Sequence, residues 1–145
     1  MGTKIKKDWY GRKKSTEELH QDAKIWISEI HFINDEIRFL EHLLSSKYID
    51  CLASGLAKKI DISVKKISEE KTIGQLLLEQ VLKQEAVLSD LIKNNSVSSN
   101  TNFLETHKKL ALEINNYEKK YKRLKKQIFE IVENVMKKTA QKKLI

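Results

Sequence analysis

The sequence predicts an all-α protein, an antiparallel bundle of three long helices with coiled-coil-like seams. Three observations carry that prediction. The 145 residues include no proline and only four glycines, too few for the many turns a β protein of this length would need. Apolar residues recur in alternating steps of four and three over two long stretches, the spacing of helices that bury one face. Asn94-Asn95-Ser96-Val97-Ser98-Ser99-Asn100, polar except for Val97, supplies one clear break between helices.

Residues 1–14 read as a basic N-terminal arm, too short and polar to have a core, ahead of one helical-bundle domain over 15–145. The first helix is expected over 15–46. Ser15 and Glu18 have capping-box spacing, and Glu17 adds negative charge to the first turn. Its seam runs through Leu19, Ala23, Trp26, Ile30, Ile33, Ile37, Leu40 and Leu44. A second stripe, Ile25, Phe32 and Phe39, repeats every seven residues and lies about 140° around the helix from the first. A helix with two apolar stripes calls for two neighbours, or for one neighbour and a partner. Asp22, Glu29 and Glu36 fall between the stripes.

The middle of the chain is expected to be helical over 49–93 through Ile49, Leu52, Leu56 and Ile60, then Ile73, Leu77, Leu78, Val81, Leu88, Leu91 and Ile92. Asp61-Ile62-Ser63-Val64 has poorer helix propensity, so a break near 61–64 would make the bundle four-helical. The last helix is expected over 101–140, with Asn102 and Glu105 spaced as a capping box. Its seam is Phe103, His107, Leu110, Ile114, Tyr117, Tyr121, Leu124, Ile128, Ile131 and Val135.

The run Trp26-Ile27-Ser28-Glu29-Ile30, with Phe32, then Glu36, Ile37, Phe39, Leu40, Leu43 and Leu44, resembles the opening helix of small uncharacterised bacterial helical-bundle proteins. The resemblance implies a helical bundle and no activity.

The residue inventory argues against most chemistry. A lone cysteine, Cys51, excludes an intramolecular disulfide framework. Its apolar neighbours Leu52 and Ala53 suggest a buried structural thiol. A di-iron bundle needs a Glu-x-x-His from each of two helices, whereas this chain has one, Glu17 to His20. His20, His31 and His42 share a face with Lys24, Asp35 and Arg38. Neighbouring histidines there are about 16 Å apart, too far to share a metal. Glu29 and Glu36 could be read as paired carboxylates for acid–base work, but no nucleophile, phosphate loop or oxyanion nest accompanies them. The plainer expectation is that they line a groove between helices and meet lysines. The sharpest local expectation is a buried or half-buried pair between Glu85 and His107, set against the alternative that both reach solvent at the bundle edge. No catalytic residue, cofactor, metal or small-molecule substrate is expected.

Charge leaves a second function class open. The formal net charge is +8. It is concentrated at the two ends, while the middle, residues 15–95, is net acidic. Only Arg12, Arg38 and Arg123 are arginines, the residue suited to bidentate phosphate and base contacts. In the arm, Lys4, Lys6, Lys7, Arg12, Lys13 and Lys14 surround Trp9 and Tyr10, an arrangement that could stack on bases or fold back onto apolar surface. In the last helix Lys119, Lys120, Lys122, Arg123, Lys125 and Lys126 crowd two turns and could track a phosphate backbone or face acidic neighbours.

No apolar run approaches the ~20 residues of a membrane span, and no signal-peptide core follows the basic start. A cytoplasmic location is the simplest expectation. The function expected from these features is a non-catalytic interaction protein that binds a protein partner or self-associates through its exposed heptad seams. The alternative is nucleic-acid or ribosome binding through the arm and the basic face of the last helix.

Overall fold

The computed structural model describes residues 14–97 and 100–144. The arm cations Lys4, Lys6, Lys7, Arg12 and Lys13, together with Trp9 and Tyr10, therefore lie outside the described residues. The protein is all-α, with no strand among the described residues. Its elements are α1 (Thr16–Ser46), α2 (Tyr48–Ala53), α3 (Ala57–Lys93) and α4 (Thr101–Leu144).

Helix α1 begins where the capping box places it. The Glu18 N–H donates to Ser15 Oγ at 3.2 Å and the Ser15 N–H donates to Glu18 Oε1 at 3.0 Å, so two orphan donors of the first turn are satisfied. Leu19, Ala23, Ile30, Ile33, Ile37, Leu40 and Leu44 are buried along one face. His20, His31 and His42 are exposed with Lys24, Asp35 and Arg38 on the other.

The break in the middle of the chain falls at Ser54–Leu56, not near 61–64, and Asp61–Val64 lies inside α3. Gly55 makes the stop. It sits at φ +75°, where a Cβ is unfavourable. The Leu56 N–H donates to the Cys51 carbonyl at 2.9 Å and the Gly55 N–H to the Leu52 carbonyl at 3.2 Å, the paired bonds of a Schellman stop. Asn95, at φ 54°, ends α3 the same way, with Ser96 N–H to Leu91 carbonyl at 2.9 Å.

The start of α4 also differs from the expected Asn102 cap. Asn100 takes that role, its Oδ1 accepting from the Phe103 N–H at 2.8 Å. Position 100 is the last loop residue, so its backbone is still free to leave the helix while its side chain turns back.

Two apolar clusters follow. The larger joins α1, α3 and α4 through residues such as Ile30, Ile37, Ile67, Val81, Ile114 and Ile128, and includes the fully buried Cys51. Burial, with Asp50 beside it, pushes the Cys51 thiol up from its ordinary value, which keeps it protonated and poorly nucleophilic. The smaller cluster closes one end, where Leu19, Leu88, Val97 and Phe103 meet. Cross-helix pairs set the directions. His20 on α1 reaches Glu85 near the end of α3, whereas Glu41 meets Lys71 in its first half. Asp22 meets His107 early in α4 and Glu36 meets Lys125 further along it.

Candidate functional site

Heptad geometry puts the residues beside each apolar seam into the grooves between helices. On α1, Asp22, Glu29 and Glu36 fall on the side facing α4, and each finds a different partner there. At the first level His107 Nε2 lies 2.9 Å from Asp22 Oδ2, and Lys14 Nζ lies 2.6 Å from the same oxygen. Burial would push the Asp22 carboxyl up, but the His107 and Lys14 hydrogen bonds outweigh it and hold the group below its usual 3.8. Asp22 thus contributes stability above pH 3.8 that is lost as pH falls through its folded value. The His107 ring, buried, stacks at 4.7 Å from Trp26 and 6.2 Å from Phe103.

The expected Glu85–His107 pair is therefore not formed. His107 does occupy the core face of α4, but its ring nitrogen turns to α1. Glu85 Oε2 instead takes His20 Nδ1 at 2.8 Å. Both acids sit at groove positions, and each is taken by the nearest histidine across its own groove.

At the last level the Lys125 ammonium donates to both oxygens of Glu36, at 3.0 and 2.8 Å, and the Tyr121 hydroxyl donates to Oε1 at 2.8 Å. These bonds overcome the upward pull of burial and hold Glu36 low, while burial and Glu36 together push the Tyr121 hydroxyl up.

The middle level is different. Glu29 meets not a lysine but Glu118 of α4. Burial, then the hydrogen bond and charge of Glu29, push the Glu118 carboxyl up from 4.5 to about 7, with Lys122 opposing. A carboxyl raised in the folded state contributes stability that is complete below pH 4.5 and fades as pH rises through about 7. Glu118→Gln is therefore expected to flatten the denaturant-measured stability profile across that window. At pH 8 it should add about 1 kcal/mol, the solvent-accessible position limiting the gain. An unchanged pH slope in the variant would show that the Glu118 carboxyl is not raised by burial and Glu29.

These two carboxylates lie in a groove of about 420 Å³ between α1 and α4, whose other walls include Phe32, Glu36, Tyr121, Lys122 and Lys125. Above it runs the second stripe of α1, with Ile25 44%, Phe32 62% and Phe39 58% exposed. Phe129 and Met136 of α4 are exposed as well. Seven residues apart and two turns beyond Lys122, they continue the same side of α4. The groove thus holds three carboxyls against two lysines within and is apolar at its lip.

Of the basic run in α4, Lys120 lies 3.6 Å from Glu70 of α3 and Lys125 is bound by Glu36. Lys119, Lys122, Arg123 and Lys126 are exposed. The crowding of six cations thus divides between pairing with neighbouring helices and covering the outer face.

Sequence reasoning does not reveal the polar layer in the core. Glu70, 1% exposed, and Gly74 sit on the buried face of α3. Glu70 Oε1 and Oε2, Asn34 Oδ1 and Tyr117 OH are all buried without a hydrogen-bond partner. Burial pushes the Glu70 carboxyl up, only partly offset by Lys120, and burial with Glu70 pushes the Tyr117 hydroxyl up. The available signal is heptad phase: Ile60, Ile67, Val81 and Leu88 are spaced by multiples of seven, which puts Gly74 on their line and Glu70 one step off it.

Among the described residues no group of three or more His, Cys, Asp or Glu is arranged to hold a metal ion. None of their helices is long and apolar enough to cross a membrane. No family model matches the chain, and neither a curated protein nor a solved structure matches it.

Proposed function

We propose that the chain is a non-catalytic interaction module, an antiparallel bundle of three long helices with coiled-coil-like seams that seats a helix in its α1/α4 groove. The observation that carries this reading is the exposure of Ile25, Phe32 and Phe39 in one line above that groove. Large apolar side chains in a continuous row are what a soluble helix presents to another helix. The carboxylates below them favour a partner with basic flanks. A second copy meeting this face about a two-fold axis through Phe32 would bring Glu29 and Glu36 against the same residues. That like-charge contact makes a different chain the better fit than self-association.

A synthetic amphipathic helix of leucine and lysine heptads, labelled for fluorescence anisotropy, tests the reading. Binding is expected, weakened at least tenfold by the pair Phe32→Ser and Phe39→Ser. Leu112→Ser should leave it unchanged, because Leu112 is exposed on the outward side of α4, away from the residues lining the groove. Equal binding by all three proteins would defeat the proposal, as would no binding. Light scattering at the mass of one 16.9 kDa chain is the expected companion result.

A second reading, polyanion binding, draws its support from Lys119, Lys122, Arg123 and Lys126, exposed along two turns of α4. It predicts affinity for nucleic acid that falls steeply with salt, by a log–log slope of about −0.9 per phosphate contact on duplex DNA.

A further inference from the structure

The walls of the α1/α4 groove change character along its length. Asp22 of α1 meets His107 of α4 and Glu36 meets Lys125, so the two helices run in the same direction and their levels correspond. Three residues beyond Glu36 stands Phe39, and four beyond Lys125 stands Phe129, both exposed. At that end both walls are apolar. Seven residues back from Glu36 and from Lys125 the walls carry Glu29 and Glu118, with Phe32 beside them. Asp22 and Glu36 each hold a lysine, whereas Glu29 and Glu118 hold each other. Of the two lysines lining the groove, Lys125 is bound by both oxygens of Glu36, which leaves Lys122 against two carboxyls.

We propose that the partner of this groove is an amphipathic helix with an arginine in its apolar seam, set between Glu29 and Glu118. Eleven positions from that arginine it carries a large apolar residue, set between Phe39 and Phe129. The proposal rests on the reading of the groove as a docking surface and names the partner's chemistry. The spacing comes from the walls: Glu29 to Phe39 is about 15 Å and Glu118 to Phe129 about 17 Å at 1.5 Å per residue. Eleven residues of a partner helix cover the same distance and complete about three turns, so both side chains point into the groove.

Arginine fits better than lysine for two reasons. Its planar guanidinium carries its donors in a fixed fork and can serve two carboxylates at once, where an ammonium acts as a point charge. Its flat face can also rest on the exposed ring of Phe32 as its stem crosses the lip. A guanidinium between the two acids favours both in their ionised form. Burial, then Glu29, raises the Glu118 carboxyl to about 7, so below that pH arginine binding expels a proton, and affinity rises with pH. The other charged or titratable groups lining the groove are Glu36 on α1 and Tyr121, Lys122 and Lys125 on α4. Glu36 is held low and Tyr121 high, which leaves Glu118 the lining group raised into the neutral range.

Three leucine–lysine heptad helices, with arginine, lysine or glutamine at one central seam position, test the assignment by fluorescence anisotropy on the full-length chain. At pH 8 the arginine helix is expected to bind at least tenfold tighter than the glutamine helix and at least threefold tighter than the lysine helix. The arginine-to-glutamine ratio should shrink at least threefold at pH 5, and taking a ratio cancels titrations elsewhere, such as at His107. It should fall below twofold in the pair Glu29→Gln with Glu118→Gln, substitutions that relieve a like-charge contact and so keep the fold. Phe39→Ser with Phe129→Ser should weaken both helices at least tenfold and leave their ratio unchanged. Equal binding of arginine and glutamine, a preference that survives the two glutamines in the protein, or lysine matching arginine overturns the proposal. If the plain leucine–lysine helix still discriminates the Phe32→Ser and Phe39→Ser pair while the arginine preference is missing, this inference falls and the docking reading stands. If no helix binds, both fall.

Discussion

Replacing Glu70 by leucine is expected to stabilise the protein by about 1–3 kcal/mol, against the usual direction of core substitutions. Glu70 is 1% exposed on the inner face of α3, and neither carboxyl oxygen makes a hydrogen bond. The nearest compensation, the Lys120 ammonium, stands off at 3.6 Å and is itself largely in solvent. Burying an acid in this way costs desolvation that one distant cation does not return. Leucine of similar volume would put apolar atoms into the same space, one turn along α3 from Ile67 of the core cluster.

The pH dependence of that gain identifies its cause. Burial raises the Glu70 carboxyl above 4.5 in the folded chain, so the native protein binds its proton more tightly than the unfolded chain does. The wild-type contribution is whole below pH 4.5 and is lost as pH climbs through the folded value. The leucine variant has no such loss, and its advantage in chemical denaturation should be larger at pH 8 than at pH 5. At roughly 2–4 °C per kcal/mol for a chain of this size, the melting temperature should rise by about 2–12 °C. A variant that melts lower at both pH values would show that Glu70 is held by contacts worth more than its desolvation.

How far the fold and the groove are legible in sequence depends on which side chains fill each seam. Helices α1 and α4 fill theirs with apolar residues at almost every step, so periodicity alone locates their buried faces. The seam of α3 carries Ser63, Glu70 and Gly74 among its buried positions. Those polar and missing side chains interrupt the apolar count, so periodicity does not overrule the poorer helix propensity of Asp61–Val64 that reads as a break. The real stop, at Gly55, has a mechanical reason that composition does show: glycine takes the left-handed turn after Ala53-Ser54 without a Cβ penalty.

For the groove, the seven-residue spacing of Asp22, Glu29 and Glu36 marks them as residues between helices. Spacing says nothing of axial register against α4, however, and register decides which of the three meets lysine, histidine or glutamate. The expectation of Glu85 beside His107 rests on α3 and α4 being sequential neighbours. It overlooks that α1 lines the same face of α4 with Asp22.

Register itself is what a substitution at Gly74 is expected to break. A Cβ built there would stand 2.5 Å from the Tyr117 hydroxyl, 3.1 Å from the ring carbon that bears it and 3.2 Å from Asn34 Oδ1. Tyr117 is buried in the main cluster, and a stiff buried ring cannot withdraw as a flexible chain would. Gly74→Val should therefore cost about 2–3 kcal/mol through overpacking, lowering the melting temperature by roughly 4–12 °C. Gly74→Ala should cost less, because alanine recovers about 1 kcal/mol of helix propensity. The diagnostic variant is the pair Gly74→Ala with Tyr117→Phe. It removes both the closest contact and a buried hydroxyl that has no partner, which by itself costs about 1–3 kcal/mol. The pair should be more stable than wild type and than the sum of its single effects, since the two sites share one contact. A Gly74→Ala variant that gains its full propensity, with Tyr117→Phe adding nothing to it, would show that the close approach does not constrain the helices. The same contact explains why α3 cannot slide one heptad along α4. The positions that would then face Tyr117 are Ile67 and Val81, both β-branched, where Gly74 now leaves room for the ring.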